Sequence, residues 1–164
     1  MARSGKKRKD AEEDKGGRTP VIINRKARHD YHIIESMEAG LALAGSEVKS
    51  IREGNINLKD AYARIKDGEV WLIGLHISPY KHLNTFFPYD PLRDRKILLH
   101  KNQIKKLTAA VREKGLTLVP LKIYFKRGLA KLELGVGKGK RVHDKREDLK
   151  QRAAQREIDR AMKR

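Results

Sequence analysis

The chain has 164 residues, room for one compact domain with tails, and its 39 Lys and Arg against 21 Asp and Glu leave a net charge of +18. A field of that sign draws polyanions and points to work on nucleic acid. The absence of cysteine excludes disulfides, thiolate metal sites and cysteine nucleophiles, and no apolar run approaches the ~20 residues of a membrane span.

Residues 1–19, beginning MARSGKKRKDAEED, have no apolar periodicity and none of the apolar stretch of a secretory signal. They read as a disordered basic lead-in on a soluble, cytoplasmic protein with no membrane partner. Residues 20–136 hold nearly all the large apolar side chains and read as the folded core. At its start, Asn24-Arg25-Lys26-Ala27-Arg28-His29-Asp30-Tyr31 interleaves cations, an amide and aromatic rings ahead of a long extended run, HDYHIIESMEAGLALAG. GSEVKSIREG predicts a short helix with Ser46 as N-cap, Val48 and Ile51 on one side and Gly54 at the stop. AYARIKDGEVWLIGLHI alternates on both sides of Asp67-Gly68, a hairpin signal. KILLH is a further short strand. KNQIKKLTAAVREKG places Ile104, Leu107 and Val111 on one helical stripe, with Gly115 as C-cap.

VPLKIYFKRGLAKLELGVG predicts a second hairpin around Lys126-Arg127-Gly128. Leu121, Ile123 and Phe125 share one face of it, and Leu132, Leu134 and Val136 share a face on the return strand. Hairpins with a few short helices make a mainly β fold, for which a closed antiparallel OB-like β-barrel is the natural architecture. Residues 137–164 contain no Phe, Tyr or Trp and carry eleven Lys and Arg against five Asp and Glu, so they form a basic tail without a core. Their last segment, DLKQRAAQREIDRAMKR, is rich in helix formers, with Leu149 and Ala153, and Ala154 and Ile158, four apart. Isolated helices of this length are marginal in water. The tail is therefore expected to be mostly disordered when free and helical when held in a charged groove.

The stretch GVGKGKRVHDKREDLK, from Gly135, has the glycines and Gly-Lys pairs of a phosphate-cradling loop. A P-loop, however, needs G-x-x-x-x-G-K-[ST]. Leu134 and Leu132 occupy the places of the first glycine, and Arg141 stands where the hydroxyl would hold magnesium. Lys138, Lys140, Arg141, His143, Lys145 and Arg146 instead fit an arm that tracks phosphates. The six histidines share no ligand spacing, and His29 and His32, three apart on an extended strand, would point to opposite faces. G-x-S-x-G is absent and no acid–base constellation can be assembled. No metal, cofactor or catalytic activity is expected.

Two carboxylates, Glu35 and Glu38, stand out in so basic a chain, because a carboxylate can accept hydrogen bonds from a base amino group such as that of cytosine. Around residues 24–31, cations suit phosphate, Asn24 suits base edges, and Tyr31 or His29 suits stacking. Aromatic residues are only 5% of the chain, which favours recognition of the shape and backbone of folded RNA over serial base stacking.

In order along the chain, NRKARHDYHI, ESMEAGLALAGSEVKSIREGN, PYDPLRDRKILLH and GKGKRVHDKRE resemble the SsrA-binding protein (small protein B) family, from about Asn24 to Arg164. The resemblance implies a six-stranded antiparallel OB-like barrel that binds transfer-messenger RNA at its tRNA-like domain and stands where an anticodon arm would be. It implies entry into the A site of a stalled ribosome, the tail lying against small-subunit rRNA in the vacant mRNA channel. Elongation factor Tu and alanyl-tRNA synthetase would act on the same RNA. The implied RNA-facing residues are Asn24, Arg25, Lys26, Arg28, His29, Tyr31 and Glu38, with Lys49, Arg52, Asn57 and Tyr62 from the following blocks. The implied decoding-centre residues are Gly139, Lys140, Arg141, His143, Asp144, Lys145 and Arg146, the glycines serving as a flexible joint and His143 stacking on an rRNA base. The terminal helix has no aromatic residue to anchor it. Two other classes compete: a structural ribosomal or other rRNA-binding OB-fold protein, which would stay on ribosomes stoichiometrically through high salt, and an RNA-processing enzyme.

Overall fold

In a computed structural model, residues 19–82 and 88–162 are described. The expected basic lead-in, up to residue 18, lies outside them.

The two hairpins form where the sequence places them. β4 (Tyr62–Lys66) turns into β5 (Glu69–Ile73) through Asp67-Gly68, and β8 (Thr117–Lys126) turns into β9 (Leu129–Gly139) through Arg127-Gly128. Both residues of each turn have positive φ (52° and 73°, 52° and 75°), the geometry whose twist matches that of paired strands. β1 (Ile22–Ile23) lies along β8 as a short extra edge. The long β2 (Tyr31–Leu41) pairs with β9 along most of its length and with β7 (Arg95–Leu98) at its far end. β7 pairs in turn with β5, β5 with β4, β4 with β8, and β8 with β9. The antiparallel pairings of these six strands thus return to their starting point. A separate small sheet joins β3 (Ile56–Asn57) to β6 (His76–Ile77).

Alternation explains what lies inside. Val70 and Leu72, Leu132, Leu134 and Val136, with Ile97 and Ile123, are buried together in one apolar core. Leu121 does not share the face of Ile123 as expected. A register shift between Pro120 and Lys122 reverses the parity of β8, so Val119 and Leu121 pack instead under Ala27 in a smaller cluster. Proline, with no N–H to give a ladder, suits this bulge.

Four helices complete the fold. α2 (Gly45–Arg52) starts two residues earlier than a Ser46 cap would have it: Ala44 is the N-cap, and the Glu47 carboxylate accepts its N–H at 2.8 Å. α3 (Lys101–Lys114) buries Leu107, rests Ile104 and Val111 on the core, and ends at Gly115 in the left-handed conformation. α4 (Val142–Met162) has no buried residue. α1 (Arg25–Asp30) was not expected; the Asn24 side chain, accepting the Ala27 N–H at 3.1 Å, turns the basic entrance to β2 into a helix. His29 therefore lies on a helix and His32 on a strand, not both on one extended run.

Gly137 and Gly139 belong to β9 and do not form a flexible joint. A Cβ at Gly137 would lie 2.7 Å from the His32 carbonyl oxygen, and one at Gly135 would lie 2.9 Å from Leu121 side-chain carbons. These glycines let neighbouring strands approach, and the ladder continues beyond residue 136 to the pair Tyr31–Gly139.

Behind α2, Glu47 and Arg95 are both fully buried. Arg95 Nε donates to Glu47 at 2.9 Å, its other nitrogens reach the carbonyls of Leu75, Arg93 and Pro91, and Arg93 binds the same carboxylate. Burial by itself raises the pKa of Glu47, but the Arg93 hydrogen bond, the Ala44 N–H and Arg95 outweigh it and hold the group below its ordinary value.

Candidate nucleic-acid interface

α1 is short, and its geometry is set by Asn24. The Asn24 amide donates to the carbonyls of Leu58 and Pro120, both at 3.0 Å, and the residue is 4% exposed. With its oxygen also engaged on Ala27, it has no free edge to offer a base. In this structure Asn24, expected among the RNA-facing residues, is buried and holds the start of α1 in place. Arg25, Lys26 and Arg28 are exposed on the helix it starts, and Ala27 faces inward.

Around α1 the fold gathers residues that are distant in sequence. A depression of ≈ 340 Å³ has Lys26, Asp30 and Tyr31 on one side and Lys59, Asp60 and Tyr62 on the other. A second, ≈ 360 Å³, adjoins it through Asn24, Lys26 and Lys59 and is edged by Arg25 and Asn57. Tyr62 is 43% exposed, so an aromatic ring stands beside cations, as a base-stacking and phosphate-binding surface requires. Lys26 is held by Asp60 at 2.7 Å, and the Asn57 side chain accepts the Lys59 N–H at 2.9 Å. Asp60 and Lys59 carry no motif that singles them out in sequence; their place appears only once β3 and β4 are folded.

Glu38 is not in this depression. It lies on β2 where its carboxylate accepts the Tyr124 hydroxyl and has Lys126 at 3.4 Å and Lys131 at 3.7 Å. The Tyr124 hydrogen bond, opposed by partial burial and helped by Lys126, lowers the Glu38 pKa. Burial and that same bond push the Tyr124 phenol up to about 12. Lys122 stands over the Tyr124 ring at 5.4 Å and pairs with Glu133 at 2.8 Å. Tyr124 and Lys126 alternate with the inward Ile123 and Phe125, so their outward position was readable from period two, although the sequence reading did not select them. Glu35, on the same strand, is paired with Lys106 of α3 at 2.6 Å.

On α2, Lys49 lies over the Tyr80 ring at 5.4 Å and Arg52 over the Phe125 ring at 5.2 Å. Both are separate from the α1 depressions.

The tail begins against α1. Gly139 pairs with Tyr31, and the Lys140 N–H donates to the Asp30 carbonyl at 2.8 Å. Lys140 Nζ reaches Asp148 and the Arg28 carbonyl, and Lys145 Nζ lies 3.0 Å from the Asp30 carboxylate. His29 also touches that carboxylate, at 2.9 Å, and its hydrogen bond and that of Lys145 lower the Asp30 pKa. Asp144 accepts the Arg141 N–H at 3.2 Å near the positive end of α4. Arg141, His143 and Arg146 are exposed. Among the described residues, no three His, Asp or Glu side chains gather as a metal ion would need.

A small β structure edged by cations, with tyrosine rings between them and a basic helix leading away, defines a nucleic-acid-binding protein. Comparison makes the class specific. The chain belongs to the SmpB family: the family model described as SmpB protein matches residues 21–164. It is 58% identical over 140 residues to the SsrA-binding protein of Thermosynechococcus vestitus, spanning 85% of this chain and 92% of that one. It is 59% identical over 143 residues to the SsrA-binding protein of Acetivibrio thermocellus, spanning 87% and 92%. A chain of the solved structure described as "tmRNA-SmpB: a journey to the center of the bacterial ribosome" matches with a TM-score of 0.62 and 52% identity, over 75% of this chain and 86% of that one.

Proposed function

We propose that this protein is the RNA-binding adaptor of trans-translation: it binds transfer-messenger RNA and carries it to stalled ribosomes. The observation that carries the reading is the α1 face, where Arg25, Lys26, Tyr31 and Tyr62 come together beside Asn57 in a chain whose family membership runs from 21 to 164. Cations take the phosphates and the rings take exposed bases or riboses, while Asn24 fixes the helix that presents them. The six paired strands act as an OB-like barrel, a platform suited to this use. The protein takes the place of the anticodon arm of the RNA's tRNA-like domain. No catalytic step is assigned to it. Elongation factor Tu and alanyl-tRNA synthetase act on the same RNA.

Residues from Lys140 onward form the ribosomal module. α4 is the form that the tail takes when small-subunit rRNA lines the mRNA channel around it, with Arg141, His143 and Arg146 directed to the decoding centre. In solution its later turns, which bury nothing, are marginal and open readily.

Replacing His143, Asp144, Lys145 and Arg146 together by Ala tests this division. Affinity for transfer-messenger RNA should change by less than about tenfold, or ~1.4 kcal/mol, while tagging of a peptide stalled on a truncated message should stop. Replacing Arg25 and Lys26 by Ala should do the reverse, weakening RNA binding. Stoichiometric, salt-resistant ribosome association without that RNA would instead make the protein a ribosomal component.

A further inference from the structure

The α1 depression does not end at Tyr62. It shares Tyr62 and Thr117 with a further groove of ≈ 350 Å³ that runs between β4 and the side of α3. Arg64 from β4 and Arg112 from α3 line it, over an apolar floor that includes Ile65 and Leu118. Both arginines are exposed. Many other cations here are already matched to carboxylates: Lys26, Lys96, Lys106, Lys122 and Lys126 each have one within ion-pair distance. Arg64 and Arg112 form no ion pair among the described residues. Arg64 also edges a hollow lined by Lys66 and Trp71 and by the carboxylates of Asp67, Glu69 and Asp94, none of which is within ion-pair distance of it.

Two guanidinium groups without an ion pair, beside an exposed tyrosine ring, form a surface of the same chemistry as the α1 face, and they are continuous with it. Guanidinium is planar and weakly hydrated, and it binds phosphate through paired N–H groups. We propose that the β4–α3 groove is a second stretch of RNA interface, in which Arg64 and Arg112 hold the sugar–phosphate backbone of the same RNA that occupies the α1 face. Tyr62 is the hinge residue between the two stretches, its ring shared by both. The proposal rests on the RNA reading of α1 and extends it across β4 to a helix that reading does not use. Continuity with the α1 face favours RNA over an acidic peptide, which would have no reason to meet Tyr62.

The test uses the full chain and the tRNA-like domain of transfer-messenger RNA, with dissociation constants measured between about 50 and 200 mM salt. Arg64→Ala with Arg112→Ala should weaken binding by about tenfold or more, and the salt slope should fall by about one per arginine. Arg64→Lys with Arg112→Lys keeps the charges and should restore most of the slope; it also decides the matter should the alanine pair melt early. Arg25→Ala with Arg28→Ala serves as the α1 comparison. Unchanged affinity and slope in the groove variant, with loss in the α1 variant, overturns the groove and leaves the adaptor reading standing. Unchanged binding in both overturns both readings. Intact RNA binding with weakened ribosome co-sedimentation would give the groove to ribosomal RNA and overturn its assignment to this RNA.

Discussion

Asn24 and Glu38 are both polar side chains that sequence reasoning assigned to RNA, and they do different work. Asn24 satisfies three backbone groups from α1, from the segment before β4 and from β8. Asn24→Ala removes the cap and leaves two buried carbonyls without their donor, a loss of about 2–3 kcal/mol. Urea denaturation of the variant should show a lowered midpoint at unchanged slope. Glu38 is bound by Tyr124 on the outer surface. In an ultraviolet pH titration one tyrosine should ionise late, near about 12, and Glu38→Gln should move that titration down toward the ordinary 10.0, with burial keeping it from arriving there. A midpoint indifferent to Glu38→Gln would mean that the hydrogen bond has no effect on the phenol. Residue type alone does not separate these cases: an asparagine at a helix start caps as readily as it reads a base, and only the path of the backbone decides.

At the scale of elements, the hairpins, α3 and the inward faces of β5 and β9 were legible because each has a local cause: a turn pair, a glycine stop, or strict alternation. α1 was not legible, since its six residues carry no apolar period and its only signal is the cap. The face reversal in β8 was also hidden, because a bulge is fixed by pairing partners far away in sequence. Of the candidate residues, Arg25, Lys26, Tyr31, Asn57 and Tyr62 line two adjoining depressions. Glu38, Lys49 and Arg52 lie elsewhere on the surface, because residues close in one motif need not share a face. The α2 anchor has a pH signature. Glu47 is depressed in the folded protein, so the stability from its ionised form is present above its unfolded value near 4.5 and is lost as pH falls through the lower folded value. Glu47→Gln should flatten that acid limb of the melting curve and cost about 3–5 kcal/mol at neutral pH by leaving Arg95 buried without its partner. The start of α4 depends likewise on Asp30. Asp30→Asn removes the charge that holds Lys145, and amide exchange across residues 142–148 should quicken while that of β2 and β9 does not.

At the scale of the molecule, the excess of 18 positive charges implies binding that weakens steeply with salt, and the distribution of those charges divides the labour. The paired strands and α1 carry the candidate face, and the basic helix leaves from beside it, which suits the proposed reading of one partner on the face and another on the tail. The same arrangement has a consequence for the making of the protein. β9 joins β2 on one side and β8 on the other, pairing residue 31 with residue 139, and it is synthesised after every strand it joins. Until it emerges, two strand edges wait unpaired, and unpaired edges invite aggregation and proteolysis. A copy translated from a message broken before Leu129 would therefore leave the ribosome with its ring open, marked for destruction by its own topology as well as by any tag.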